Sequence, residues 1–183
     1  MAANATVHKV ELSISDMDRH YYASHALTLA QHPSETPERL MVRLLGFMLF
    51  ADERLAFGRG AVEDEADLWL RDDVGDIQRW IEVGLPDPTR VKRASGRSRE
   101  VVVLTYGGRA AELWWDKHAA EIRKIRRVRV LDVPAAVSEQ LAALPGRSMR
   151  LQVLVQDGVL QVLDEAGGSL DVIATERMAL TAG

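Results

Sequence analysis

One segment of the chain predicts a helix that is apolar around its whole circumference. Thr36 suits the N-cap of a helix, and Pro37 suits the first helical position, where a backbone N–H is not needed. The helix that follows carries Leu40, Met41, Val42, Leu44, Leu45, Phe47, Met48, Leu49 and Phe50. Such a helix has to be covered on all sides, so we expect it to be sandwiched in the interior of the fold.

The segments around this helix predict both strands and helices. Residues 10–14 alternate between apolar and polar, a turn follows at residues 15–18, and residues 21–29 predict the second strand of an N-terminal hairpin. A second hairpin is predicted from residues 67–71 and 78–84 around a polar connector. Further predicted helices cover residues 87–94, ended by Gly96, then 109–125 and 134–144. Further predicted strands cover residues 101–104, 128–130, 150–155, 159–163 and 170–174. With no linker rich in Pro, Gly or Ser, the sequence predicts a single mixed α/β domain over residues 1–183.

The composition narrows the class of protein and its location. The chain has no cysteine, which excludes disulfide scaffolds, cysteine nucleophiles and metal sites built on thiolates. No run approaches the roughly 20 apolar residues that a membrane helix needs, so we expect no membrane partner and a cytoplasmic location. The net charge of −4 argues against a surface that is basic all over, as in many duplex-DNA binders, but leaves room for local basic patches.

Two carboxylates of the second hairpin are the first candidate site. If the loop is centred between Val74 and Gly75, Asp67 lies directly opposite Glu82, with Cβ atoms about 5 Å apart. Like charges that face each other destabilise a sheet, and a bound Mg²⁺ would be a reason to keep them there. The alternatives are a register that differs by one residue, or two acids that are merely solvated on an edge hairpin.

Cations and a third acid extend this candidate site. Lys92, on the helix after Glu82, is a candidate to orient a metal-bound water in phosphoryl transfer, and Glu38 is a candidate third acid from the first turn of the buried helix. Their alternatives are a solvated helix face for Lys92 and a helix-dipole contact for Glu38. Arg90, Arg93, Arg97 and Arg99 are the candidate nucleic-acid contacts, because they follow the acids directly.

A second basic stretch lies at the end of the longest predicted helix of the C-terminal half and continues beyond it. It contains Arg123, Lys124, Arg126, Arg127 and Arg129. These residues are candidates to contact a phosphate backbone, but the pattern favours the simpler interpretation that cations at a helix end complement the helix dipole. The tryptophans are candidates for base stacking or, more simply, for the core.

Several motifs spread along the whole chain resemble one known family. They are residues 32–36 (HPSET), 51–55 (ADERL), 80–87 (WIEVGLPD), Thr105-Tyr106, Trp114-Trp115 and 156–158 (QDG). The chain resembles the YaeQ family, which is similar to the PD-(D/E)XK nuclease superfamily and its restriction-endonuclease-like fold. The resemblance implies a core with a central mixed sheet flanked by helices, with an N-terminal hairpin and extra C-terminal strands.

The same resemblance implies roles for the candidate residues. Asp67 would match the acid on the first strand and Glu82 the acid on the second, both as Mg²⁺ ligands, with Glu38 as a helix-borne acid. The lysine usually found two residues after the second acid is absent, because Gly84 occupies that position and leaves Lys92 as a replacement. Two functions follow as alternatives, a Mg²⁺-dependent nuclease, or a catalytically inactive nucleic-acid-binding or regulatory protein that keeps the fold.

Overall fold

The structure, a computed structural model, describes residues 4–59 and 64–180, and that part of the chain forms a mixed α/β fold with four helices and eleven strands. The helices are α1 (Pro37–Leu49), α2 (Pro88–Arg97), α3 (Arg109–Ile122) and α4 (Ala135–Ala142). The first strands are β1 (Thr6–Asp16), β2 (Tyr21–Gln31), β3 (Leu55–Phe57), β4 (Leu68–Arg71), β5 (Ile77–Val83) and β6 (Val101–Thr105). The others are β7 (Val128–Asp132), β8 (Ser148–Gln156), β9 (Val159–Asp164), β10 (Ser169–Val172) and β11 (Thr175–Met178).

The strands divide between two mixed sheets. The five-stranded sheet has the order β10-β9-β8-β1-β2, and the six-stranded sheet has the order β11-β7-β6-β5-β4-β3. Within the six-stranded sheet β5, β6 and β7 are parallel, whereas its other neighbours are antiparallel. The prediction of one central sheet with an appended hairpin therefore needs a correction. The N-terminal hairpin instead pairs in parallel with β8 and, together with the C-terminal strands β9 and β10, builds a sheet of its own.

Helix α1 lies between the two sheets, as its all-round apolar surface predicted. A side chain added at Gly46 would meet Leu68, Ile81 and Leu104 of the six-stranded sheet. Elsewhere on α1, the ring of Phe47 packs edge-on against His25 of β2, with ring centroids 5.0 Å apart. Thr36 caps the helix by accepting a hydrogen bond from the Arg39 N–H, and Pro37 occupies the first turn, as predicted.

A second core covers the other face of the six-stranded sheet. Apolar residues of α2 and α3 pack there on alternate residues of β6 and β7, and Trp80, Trp114 and Trp115 are buried among them. Three of the tryptophans that were candidates for base stacking thus belong to the core, and the fourth, Trp69, is half-buried and packs against it. The layers run from α2 and α3 through the six-stranded sheet and α1 to the five-stranded sheet.

Local differences from the predicted elements have simple reasons. Helix α2 continues through Gly96 to Arg97, because Gly96 does not adopt the positive φ of a glycine that ends a helix. The short strands β3 and β11 were not predicted, since three or four residues carry too little alternation to be recognised. In the part of the chain that the structure describes, no helix is long and apolar enough to cross a membrane.

Candidate functional site

The two predicted acids lie on neighbouring strands at one end of the β4–β5 hairpin. Leu68 pairs with Ile81 and Trp69 with Trp80, which is the predicted register, but the register shifts by one residue next to the loop, where Arg71 pairs with Ile77. Asp67 adjoins this ladder, since its N–H donates to the Ile81 carbonyl at 3.0 Å. Asp67 is 6% exposed and Glu82 4% exposed, so neither carboxylate is a solvated group on a sheet edge.

Both oxygens of the Asp67 carboxylate accept hydrogen bonds from the protein. Oδ1 accepts from Nη2 of Arg39 at 2.7 Å, and Oδ2 accepts from the backbone N–H of Val83 at 2.7 Å. The N–H groups of the even-numbered Trp80 and Gly84 point to β6. Because backbone direction alternates along a strand, the N–H of the odd-numbered Val83 points to the opposite side, toward β4. Asp67 therefore supplies the partner that this buried N–H would otherwise lack.

Both oxygens of Glu82 are likewise occupied. Oε1 accepts from the indole Nε1 of Trp80 at 2.7 Å, and Oε2 accepts from Nε of Arg90 at 2.9 Å. Burial raises the pKa of Glu82, and the nearby charge of Asp67 adds to this, while the hydrogen bonds from Arg90 and Trp80 act in the opposite direction.

The arginine beside Asp67 belongs to a larger ion-pair network that sequence reasoning missed. Nη1 of Arg39 also donates to Glu35 at 2.6 Å, and Glu35 accepts a further bond from Nη2 of Arg43 at 2.7 Å. Arg43 is 2% exposed. Burial lowers the pKa of Arg39, but Asp67 and Glu35 more than offset this and raise it. The sequence did contain a sign of this network, because Arg39 and Arg43 lie in an otherwise apolar helix and a buried guanidinium requires anionic partners.

The residues present do not fit a Mg²⁺ ion at this carboxylate pair. A hard cation needs free carboxylate oxygens and several waters, whereas all four oxygens here already accept hydrogen bonds and two of the donors are guanidinium groups. A cation in contact with Asp67 and Glu82 would also lie close to two positive charges. Among the described residues, no group of three or more Asp, Glu or His side chains comes together to hold a metal ion.

In the described part of the chain, neither of the two further candidates for this site makes a hydrogen bond or a salt bridge to Asp67 or Glu82. Glu38 accepts a hydrogen bond at 2.7 Å from the Oγ of Ser138, on α4. Lys92 is exposed and lies two residues after Arg90, which places it about 200° around α2 from the side chain that contacts Glu82. Tyr106, which packs near Glu38 and Arg39, has a pKa raised by burial.

Gly84 explains why a lysine does not stand two residues after Glu82. Its φ of +115° lies in a region that residues with a side chain rarely adopt. Space is not the obstacle, because nothing lies within 4 Å of the position where a Cβ would sit. The turn from β5 into the cap of α2 therefore requires glycine at this position.

The predicted nucleic-acid contacts divide into two groups. Arg90 binds Glu82 and also donates to the Glu65 carbonyl at 2.9 Å, and Arg97 donates to the Asp64 carbonyl at 3.0 Å and lies over the Trp80 ring. Arg93 and Arg99 are exposed, and their side chains make neither a hydrogen bond nor a salt bridge to any residue of the described ranges.

Comparison with known proteins shows one family over nearly the whole chain. A model of the YaeQ protein family matches residues 1–172. The uncharacterized protein YaeQ of Salmonella typhi is 41% identical over 176 residues, which cover 96% of this chain and 97% of that protein. The uncharacterized YaeQ of Escherichia coli K12 is 41% identical over 166 residues, or 90% of this chain and 92% of that protein.

Two crystal structures of YaeQ proteins share the fold. That from Xanthomonas axonopodis pv. citri has a TM-score of 0.91 at 55% identity and covers 96% of this chain and 99% of its own. That from Pseudomonas syringae has a TM-score of 0.91 at 36% identity and covers 96% and 97%. The motifs, the family model and the shared fold agree, and the chain belongs to the YaeQ family.

Proposed function

We propose that this protein binds nucleic acid through an exposed basic surface and does so without metal-dependent cleavage. The basic surface consists of Arg93, Arg97 and Arg99 from α2 and its end, and of Lys124, Arg126 and Arg127 after α3. The observation that carries the second half of the proposal is the occupation of all four oxygens of Asp67 and Glu82 by protein donors. In this proposal Glu82 serves to position α2 through Arg90, Asp67 joins Arg39 of α1 to the end of β5, and neither acid is a metal ligand.

The fold brings the two halves of the basic surface together. Strands β6 and β7 are parallel, and each follows one of the two basic segments, so both segments end at the same edge of the sheet. The N–H of Val101 donates to the Arg127 carbonyl at 2.9 Å, and the Oγ of Ser95 donates to the Arg126 carbonyl at 2.9 Å. Cations separated by about thirty positions in sequence therefore lie on one surface.

The charges on this surface are available to a polyanion. All six side chains are exposed. Of these six, only Arg97 forms a salt bridge within the described residues. Its Nη1 lies 3.9 Å from Oδ1 of Asp64, and the Asp64 side chain is itself largely exposed. Phosphates of a nucleic acid would release counterions at each contact, and six contacts predict a slope of log K against log salt of about −5 for duplex DNA.

The proposal is tested by fluorescence anisotropy with labelled duplex and single-stranded oligonucleotides at several salt concentrations, with Mg²⁺ and with EDTA. Arg93→Gln combined with Arg126→Gln should weaken binding and reduce the salt slope by about 2. The matched control is Arg54→Gln with Arg150→Gln, because both of these exposed arginines form surface ion pairs outside the basic surface. Equal losses in the two double variants would mean that binding follows net charge alone and would overturn the proposal.

A Mg²⁺-dependent phosphodiesterase remains the alternative function, with Asp67 and Glu82 as ligands and Lys92 and Glu38 in supporting roles. It is favoured by the meeting of the two acids on neighbouring strands, as in the PD-(D/E)XK template. It would require Arg39 and Arg90 to release both carboxylates. Calorimetric titration with Mg²⁺ or Mn²⁺, beside a cleavage assay on the same oligonucleotides, separates the two functions. Cleavage that disappears in Asp67→Ala with Glu82→Ala would favour the enzyme, whereas binding without cleavage or metal uptake supports the proposal above.

A further inference from the structure

Strand β2 is an unusually open edge of the five-stranded sheet. It is 11 residues long, contains no charged residue and no proline, and pairs with β1 without a bulge. The other sheet edges in the described ranges are protected in ordinary ways. β3 has only 3 residues, β10 has 4 and carries Asp171, and β11 has 4, carries two charges and is interrupted by a register shift. Natural proteins rarely leave a long uncharged edge without a partner.

The backbone groups that face outward from β2 follow from the pairing of β1. The N–H of Lys9 donates to the Arg147 carbonyl, so odd-numbered residues of β1 point their backbone groups to β8 and even-numbered ones point to β2. Even positions of β1 pair with odd positions of β2. The even positions of β2 therefore direct their N–H and C=O groups away from the sheet, and these are Tyr22, Ser24, Ala26, Thr28 and Ala30.

One end of this edge is already closed by the protein. Nη2 of Arg43 donates to the Ala30 carbonyl at 2.9 Å, which agrees with the outward direction of that group. From Tyr22 to Thr28 the outward groups have no protein partner in the described residues. Four residues with one donor and one acceptor each remain available.

We infer that a second copy of this chain occupies the edge, with β2 pairing antiparallel to β2 about a two-fold axis. Four residues from each strand give about eight interchain hydrogen bonds, within the range of about 10 ± 5 that specific interfaces carry. The two five-stranded sheets then become one continuous sheet. The two-fold arrangement uses both open edges at once, so assembly stops at the dimer.

The side chains of the edge fit a second copy of the same strand. Ser24, Ala26 and Thr28 are exposed, small and uncharged, so two copies of β2 meet without repulsion or steric conflict. Tyr22, near the start of the strand, is 62% exposed. In an antiparallel pair centred on residues 22–28, it lies opposite Thr28 of the other copy. A large exposed aromatic thereby gains a small-residue surface to cover.

The oligomeric state tests this inference through charge reversal. By sedimentation or light scattering at up to about 100 μM, well above a micromolar dissociation constant, the wild-type protein should be a dimer. Ser24→Lys with Ala26→Lys places like charges opposite each other, whether residue 24 pairs with residue 26 of the other copy or residue 26 pairs with itself. This variant should be a monomer, and so should Ser24→Glu with Ala26→Glu. An equimolar mixture of the two variants should restore the dimer, which a misfolded variant would not do. A wild type that stays monomeric, or lysine and glutamate variants that stay dimeric, would overturn the inference.

Cross-linking tests the geometry itself. Because the chain has no cysteine, Ala26→Cys introduces a single thiol, and a short bifunctional thiol reagent should join two copies efficiently. The matched control is Gln152→Cys, exposed at the centre of β8. In the proposed dimer two such positions lie about 24 Å apart, five strand spacings of about 4.8 Å, and should not cross-link. A dimer that links through residue 152 and not through residue 26 would place the interface elsewhere.

Discussion

Removal of the Asp67 side chain separates a structural role of the carboxylate pair from a metal-binding role by the sign of the change in stability. If Asp67 serves the fold, Asp67→Ala destabilises the protein. If Asp67 and Glu82 form a metal site, the metal-free protein holds two buried like charges, and removal of one of them should relieve repulsion and stabilise it. The two interpretations thus predict opposite shifts in the free energy of unfolding.

The expected magnitude follows from the partners of Asp67. The N–H of Val83, a residue that is 5% exposed, loses its hydrogen bond and becomes a buried unpaired donor, which costs about 1–3 kcal/mol. Arg39 loses one of its two acidic partners but keeps Glu35, and its side chain is 29% exposed, so the loss of this ion pair adds about 1 kcal/mol. Together these effects predict a destabilisation of about 3 kcal/mol.

The assay is urea unfolding followed by tryptophan fluorescence in EDTA, since Trp69 and Trp80 lie next to the site. Asp73→Ala is the control, because Asp73 is 83% exposed in its pair with Arg54 and should change stability by less than about 0.5 kcal/mol. Millimolar Mg²⁺ should leave the wild-type midpoint unchanged, whereas a bound ion would raise it by mass action. Stabilisation by Asp67→Ala in EDTA would refute the structural role.

Three further changes test other parts of this account. Because the pKa of Glu82 is raised, the folded state keeps the Glu82 carboxyl protonated at pH values above the usual pKa of 4.5. The stability that this group contributes is therefore fully present below pH 4.5 and is lost as the pH rises through the folded-state pKa. Glu82→Gln should therefore gain stability relative to wild type as the pH rises above 4.5 in parallel urea titrations, and a trend in the other direction would mean that the Arg90 ion pair outweighs burial. Gly84→Lys should cost about 1–3 kcal/mol because of the positive φ and should not create metal binding by calorimetry; a neutral effect would contradict the backbone argument. Thr36→Ala should lower the free energy of unfolding by about 1 kcal/mol, whereas Thr36→Ser should not, and equal losses would show that the cap contributes little.

Elements that depend on neighbours in sequence were predictable. The cap at Thr36, the buried α1, the two hairpins and the β4–β5 register all follow from local periodicity and turn chemistry. The pairing of Asp67 with the end of β5 is of this kind, because a hairpin loop fixes which residues face each other. Local patterns thus sufficed to bring the two acids together.

Elements that depend on distant parts of the chain were not predictable. The parallel pairing of β1 with β8 joins segments about 140 residues apart, and alternation in either strand gives no sign of which partner it will take. The same limit hid Arg39, whose guanidinium reaches Asp67 across 28 positions, and it hid the meeting of the two basic segments. The sequence displayed the charges, but only the tertiary structure determines which charge neutralises which.

The ion pair between Glu82 and Arg90 connects the buried acids to the exposed cations. Arg90 lies in the first turn of α2, bonded both to Glu82 and to the Glu65 carbonyl, while Val91 and Ala94 are buried in the second core. This combination fixes the rotation of α2 about its own axis, and that rotation determines which way its remaining cations point. A change at Glu82 should therefore weaken the proposed nucleic-acid binding at a surface that Glu82 does not touch. Loss of nucleic-acid binding in a Glu82 variant is then evidence for the positioning of α2, and only loss of a metal-dependent reaction would be evidence for catalysis.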